Sequence, residues 1–326
     1  MKVLARATVA LVAGSIAVPA VAEAPLRVRN VSPVAQLYGM PRAMGAELVD
    51  SGYELSFGTE IANNFTSNLD GTTFAFFDGE TTVFSYGARG ALAERWEWGV
   101  EIPFVDHDGG LLDAGIDNFH DLFGFDDNGR ERANRNQIDY FIRYSGETFV
   151  DFQDETDDWG DVRVSLGYQL ARDETRAWAV RALVKLPTGE VEHLTGSEAA
   201  DLAVWFEHAR AALFGQPRLS SSAALGAIWL GDGDLVPNRQ ERFAGYGHVG
   251  LAWRIADAVS LLGQVDYHSR LIDSGLDHLG GRGLQGTLGA RFRYKERLTT
   301  EFAFVEDLTS DSVADVAFQV LIAAQM

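Results

Sequence analysis

A chain of 326 residues with a formal net charge of −20 at pH 7 has no basic surplus to set against a phosphate backbone, which excludes a nucleic-acid partner. Having no cysteine, it can build no disulfide framework and carry no lipid through a thiol. The 34 glycines, the 11% aromatic content and the lack of any low-complexity tract or solenoid period leave hydrophobic periodicity as the guide to its organisation.

The first residues, MKVLARATVALVAGSIAVPAVAEA, carry Lys2 and Arg6, then an apolar run from about Ala7 to Val18, then Ala20 and Ala22 at small-x-small spacing. This is the pattern of a cleaved export signal over 1–22, and the apolar run is too short to cross a bilayer as a helix. Residues 23–49 hold Arg27, Arg29 and Arg42 without clean alternation. They read either as a periplasmic tail or as a plug threaded into a lumen, where the arginines could meet inward acids such as Glu97 and Glu101.

From residue 50 onward, segment after segment alternates with a period of two. YELSFGTEI sets Tyr53, Leu55, Phe57 and Ile61 against Glu54, Ser56, Gly58 and Glu60. RWEWGVEIPF and LQGTLGARFRY repeat the pattern, with one apolar and one polar face each. Strands are expected at 50–63, 74–92, 95–105, 159–171, 176–187, 199–212, 219–230, 242–254, 259–270, 284–294, 298–307 and 313–325. The joins alternate between tight turns such as RDETR and long stretches such as FTSNLDGTT, PTGEVEHLTGSE and the 106–158 region. Long strands, short turns at one end and long loops at the other predict an all-β fold over 50–326: a closed antiparallel transmembrane β-barrel of about 12 strands, with long extracellular loops and short periplasmic turns. A soluble sandwich would alternate too, but Trp96, Trp98, Trp178, Trp229, Trp253, Tyr267, Phe292 and Tyr294 lie towards strand ends, where membrane-interface rings belong.

With the apolar parity facing lipid, the lumen is lined by Glu54, Glu60, Glu97, Glu101, Glu207, Asp266 and Glu301, opposed by Arg89, Arg163, Arg181, Lys185, Arg270, Arg291 and Arg293. His268 joins Asp266 as an inward polar pair at the mouth. Such opposed charges either orient polar solutes in a wet pore or pair and fill a closed barrel. A lipid-modifying outer-membrane hydrolase is the least favoured reading. In DYHSR, His268 and Ser269 are neighbours on a strand and point to opposite faces.

Within the long loop region, GIDNFHDLFGFDDNGRE (115–131) concentrates five acids, one histidine and three phenylalanines. On a short helical turn Ile116, Phe119 and Phe123 share one face, and Asp117, His120 and Asp121 another. The expectation is a loop gate across the outer mouth. The acids and imidazole leave a metal open, although the spacing matches no EF-hand or HExxH site.

Several stretches resemble a family of Gram-negative outer-membrane proteins known as domain of unknown function 3187. They are PLRVRNVSPVAQLYGMPRA at 25–43, FFDGETTVFSY at 76–86, the 96–134 run beginning WEWGVEIPFVDHDGG, WGDVRVSLGYQL at 159–170 and KLPTGEVEHLTGSEAADLAV at 185–204. The resemblance covers nearly the whole mature chain and implies a barrel in the outer membrane. It implies no catalytic residue. KLPTG followed by LTGS also resembles the strand-loop-strand of small-molecule transport barrels. The ending AFQVLIAAQM departs from the terminal aromatic of many outer-membrane proteins, although the last strand still alternates. The expected function is a channel or porin-like transporter for small polar or amphiphilic solutes, with a structural, assembly or adhesion barrel as the alternative. No cofactor is expected. The expected partners are outer-membrane lipids and lipopolysaccharide, the assembly machinery and small solutes.

Overall fold

The computed structural model describes residues 22–110, 112, 136–295, 297–309 and 312–326. Its strands are β1 (Tyr53–Asp70), β2 (Thr73–Ala93), β3 (Trp96–Asp108), β4 (Asp139–Tyr144), β5 (Glu147–Phe152), β6 (Thr156–Trp159), β7 (Arg163–Arg172), β8 (Arg176–Lys185), β9 (Asp201–Arg210), β10 (Leu219–Trp229), β11 (Phe243–Ala256), β12 (Val259–His268), β13 (Gly283–Tyr294), β14 (Leu298–Asp307) and β15 (Val316–Gln325). Twelve of them form one antiparallel ring, in the order β1-β2-β3-β7-β8-β9-β10-β11-β12-β13-β14-β15. The ring closes where β15 returns to β1, from Glu54↔Gln325 to Asn63↔Val316. Closure leaves no sheet edge unpaired along the wall, as a bilayer requires of any strand structure that crosses it.

The twelve expected strands match the ring, with ends shifted by a few residues. Two stretches expected as loop are strand instead. FTSNLDGTT extends the β1–β2 hairpin, which pairs as far as Asp70↔Thr73 and turns through Gly71 at φ 57°. Its polar residues lie on a hairpin whose β2 strand pairs with β4 and buries Ala75 and Phe77 against Val34 of the N-terminal stretch and Tyr140 of β4. The 106–158 region contributes β4, which pairs with β2, β5, which pairs with β4, and β6, which pairs with β3. The period-two patterns in DYFIRY and ETFVDF account for the first two.

The outer face is apolar. Leu55, Phe57, Val204, Phe206, Leu225, Val249, Leu251, Leu288, Phe302, Phe318 and Ile322 are all exposed, while the alternate positions point inward. A belt of this extent is not left in water by a monomeric soluble protein. Exposed rings flank it at both ends: Tyr53, Trp96, Trp178, Trp253 and Tyr294 at the end with short turns, and Trp159, Trp229, Phe243 and Tyr267 at the end with long loops. These are the two aromatic girdles of a membrane barrel.

Candidate functional site

The barrel interior is occupied by the chain's own N-terminal segment. Residues 23–34 rise from the turn end to the loop end, a short 3-10 turn at Ala35–Leu37 reverses the direction, and residues 39–50 descend to β1. The segment joins no strand, so its buried backbone groups need partners from elsewhere. Wall side chains supply many of them. The Glu23 amide donates to Ser220 Oγ (3.1 Å), and Leu26 exchanges hydrogen bonds with the Gln264 side chain. The Gly39 amide donates to Asp201 (2.7 Å), the Leu48 amide to Gln169 (3.1 Å) and the Val49 amide to Glu97 (2.6 Å). The Ala43 amide donates to the Val28 carbonyl and ties the two legs together.

Ion pairs hold the segment laterally. Arg27 meets Glu54 at 2.6 Å, Arg29 meets Glu101 at 2.6 Å, and Arg42 bridges Glu60 (2.7 Å) and Glu101 (3.2 Å). Of the two acids expected to meet these arginines, Glu101 does. Glu97 is taken instead by Arg181 and, at 3.7 Å, by Arg89. At the foot of the segment, Glu23 receives Arg293, Arg291 at 3.3 Å and Arg254 at 3.2 Å. Burial alone would raise the Glu23 carboxyl, but these three guanidiniums hold it at about 2.

The Glu23 anchor gives a pH dependence of known sign. Because the seated value of about 2 lies below the ordinary 4.5, the contribution is complete above pH 4.5 and disappears as pH falls towards 2. It amounts to roughly 3 kcal/mol. Pepsin cleavage within residues 26–49 of the folded barrel should therefore stay slow at pH 4 and accelerate as pH approaches 2. Glu23→Gln should be cleaved quickly already at pH 4, and an unchanged cleavage rate would dismiss the anchor.

The remaining inward residues pair across the wall. Glu54 also receives Arg89 (3.0 Å), and Glu207 receives Arg181 (2.8 Å) and the Trp205 indole (2.8 Å). Glu301 receives Arg291 (3.0 Å), and Arg163 faces Glu101 at 3.7 Å. Lys185 is enclosed by Asp161, Asp201 and Ser197. Asp266 accepts from Gln264, while His268 bonds Asn30 at 2.9 Å, so these two neighbours face inward with different partners. Ser269 accepts the Gly245 amide at 2.9 Å. Arg270 needs correction: it lies past the end of β12, is exposed, and pairs with Asp273 (3.2 Å) in the outer loop instead of lining the lumen. Inward parity ends at His268, two residues earlier, where the chain leaves the wall. Asp161 and Asp201, by contrast, share the inward parity of Arg163 and Glu207 and join the lumen with them.

At the loop end the lumen is capped by apolar packing. Val34, Leu37, Tyr38 and Met40 of the segment are buried against Leu194, Leu235, Val236, Leu271, Ile272 and Leu279 of the loops at 186–200, 230–242 and 269–282, above Trp205 and Ile228. The expected gate residues Ile116, Asp117, Phe119, His120, Asp121 and Phe123 lie outside the described residues. Among the described residues, one group brings metal-ligand atoms within 4.8 Å of one another: Asp158, Glu190 and His193 on the outer surface. Two cavities flank the segment inside the barrel, of about 40 and 90 Å³.

Over residues 2–322 the sequence matches the family model described as "Protein of unknown function (DUF3187)". The chain belongs to that family. No curated protein matches the sequence. Among solved structures, it is similar to a crystal structure of an outer membrane channel from Pseudomonas putida F1, at 10% identity over 86% of this chain and 98% of that one, with a TM-score of 0.56. It is also similar to the NanC porin, at 6% identity over 84% of this chain and 100% of that one, with a TM-score of 0.46. At 10% identity the first likeness is one of fold alone: the barrel resembles that of an outer-membrane channel.

Proposed function

We propose that this protein is an outer-membrane channel for small polar or amphiphilic solutes, closed by its own N-terminal segment. Its surroundings are outer-membrane lipid and lipopolysaccharide, and the outer-membrane assembly machinery inserts it. The observation that carries this reading is how residues 23–49 are held. They fill the lumen without joining the sheet, and over the lower half their anchors are side-chain hydrogen bonds and ion pairs that water can replace. A strand hydrogen-bonded into the wall could not leave; a segment seated by side chains can.

A barrel of purely structural role is the second reading, favoured by the tight apolar cap at the loop end. Purified protein in planar bilayers, checked first for outer-membrane fractionation and for faster gel migration before boiling, separates the two. The channel reading expects long closed intervals broken by discrete conductance steps. Recovery as a soluble periplasmic monomer would overturn the membrane location, and complete silence of a heat-modifiable band would favour the structural barrel.

A further inference from the structure

The larger cavity lies between the segment and one side of the wall. Arg27 and Arg42 of the segment and Arg89, Arg163 and Arg181 of the wall line it, with Glu101 as the single acid on its surface. Ser56, Ser85 and Ser165 add hydroxyl groups. Space is kept open by glycine: a Cβ at Gly87 would stand 2.3 Å from the Ser56 hydroxyl, and one at Gly99 2.5 Å from that of Ser165.

The guanidiniums on this surface share few carboxylates. Arg27, Arg29, Arg42, Arg89, Arg163 and Arg181 pair with Glu54, Glu60, Glu97, Glu101 and Glu207, while Asp161 and Asp201, the next acids to Arg163, pair with Lys185. Glu301 approaches Arg27 only at 3.8 Å and is committed to Arg291 at 3.0 Å. The crowding is greatest at Glu101, whose two oxygens serve Arg29, Arg42 and Arg163 together. Arg163 is buried, and its Nε has no hydrogen-bond partner. Its Nη atoms donate to the carbonyls of Asp161, Gln36 and Tyr38, which spread but do not neutralise the charge. A buried guanidinium without its full complement of acceptors is costly, and a bidentate oxyanion is the group that best matches its fork.

We propose that this pocket binds a small, singly charged oxyanion, a carboxylate being the simplest case. The bound group would take the free Arg163 donor and the serine hydroxyls, and would give the guanidiniums crowded around Glu101 a second acceptor. A volume of about 90 Å³ suits it, since one ordered water needs roughly 10–15 Å³ and a carboxylate of four heavy atoms takes the room of several. The segment contributes Arg27 and Arg42, so the site exists only while the lumen is closed, and its occupant would hold the segment in place. As a statement about the solute class that the lumen retains, it rests on the channel reading; the binding itself needs only the closed form.

Calorimetric titration of sodium acetate into the folded full-length protein in zwitterionic detergent, at ionic strength fixed with sodium chloride, tests the site. One-to-one saturable binding is expected, with sodium phosphate in a second arm to tell a planar from a tetrahedral oxyanion. Binding of either supports the site. Arg163→Gln should weaken it roughly ten- to a hundredfold, the loss of one charge-assisted hydrogen bond. Ser165→Asp, which places a tethered carboxylate in the pocket, should abolish it and raise the temperature at which the compact gel band converts. Heat that does not saturate for either anion, or binding that survives Ser165→Asp unchanged, overturns the proposal. Conductance plays no part in this measurement, so a silent bilayer and an absent ligand are separate failures.

Discussion

Removal of residues 24–48 is expected to turn long closed intervals in planar bilayers into steady conduction. The deleted stretch contains both legs that fill the lumen and the four side chains Val34, Leu37, Tyr38 and Met40 that pack beneath the loop-end cap. Losing those four from the cap removes on the order of 6–12 kcal/mol of apolar burial, which leaves the loops without an underside. The wall itself should survive, because the β1–β15 closure begins at residue 54 and none of the ring's strand pairs uses the segment. The inward charges then meet water, their ordinary solvent. Arg27, Arg29 and Arg42 leave with the segment, so Glu54, Glu60 and Glu101 lose cationic partners and the emptied lumen should favour cations. That preference should weaken at 1 M salt, where screening shortens to about 3 Å. A deleted protein that keeps its heat-modified gel shift yet never conducts would leave a structural barrel as the better account.

How far the sequence discloses this arrangement depends on whether a residue's surroundings are local. Strand parity is local, since each position sees alternately lipid and lumen, and so the twelve-strand ring and Glu54, Glu97, Arg181 or Arg291 can be read directly. The same rule fails where the chain leaves the wall, as Arg270 does two residues after β12 ends. It fails differently at FTSNLDGTT, where strand pairing continues beyond the apolar belt and polar composition imitates a loop. The N-terminal segment has no period because it pairs with no strand. Its conformation is set by Gln264, Asp201 and Gln169, each more than a hundred residues away in the chain. Its three arginines hint at inward acids, but nothing in their spacing says that Arg42 bridges two acids while Arg29 shares one of them.

Arg42 is where the seating of the segment should be most sensitive to a single change. Its guanidinium donates to Glu60, Glu101, the Ser85 hydroxyl and the Arg27 carbonyl, and so joins both legs of the segment to β1, β2 and β3. Glu60 is almost fully buried, and its second oxygen already has no hydrogen-bond partner. Arg42→Gln would strand that carboxylate, and removing one member of a buried pair costs about 3–5 kcal/mol. The closed state bears the cost, because in the open state water reaches Glu60. The open probability should rise at least a hundredfold, since about 2.7 kcal/mol is a factor of one hundred. Arg42→Lys should fall between the two, as an ammonium keeps the charge but cannot span both acids with a planar fork. Damage to folding would also disturb conductance, and the double variant Arg42→Gln/Glu60→Gln separates that case. If the stranded charge opens the channel, neutralising Glu60 should return most of the closed time; if the barrel is merely misfolded, a second buried substitution should make matters worse.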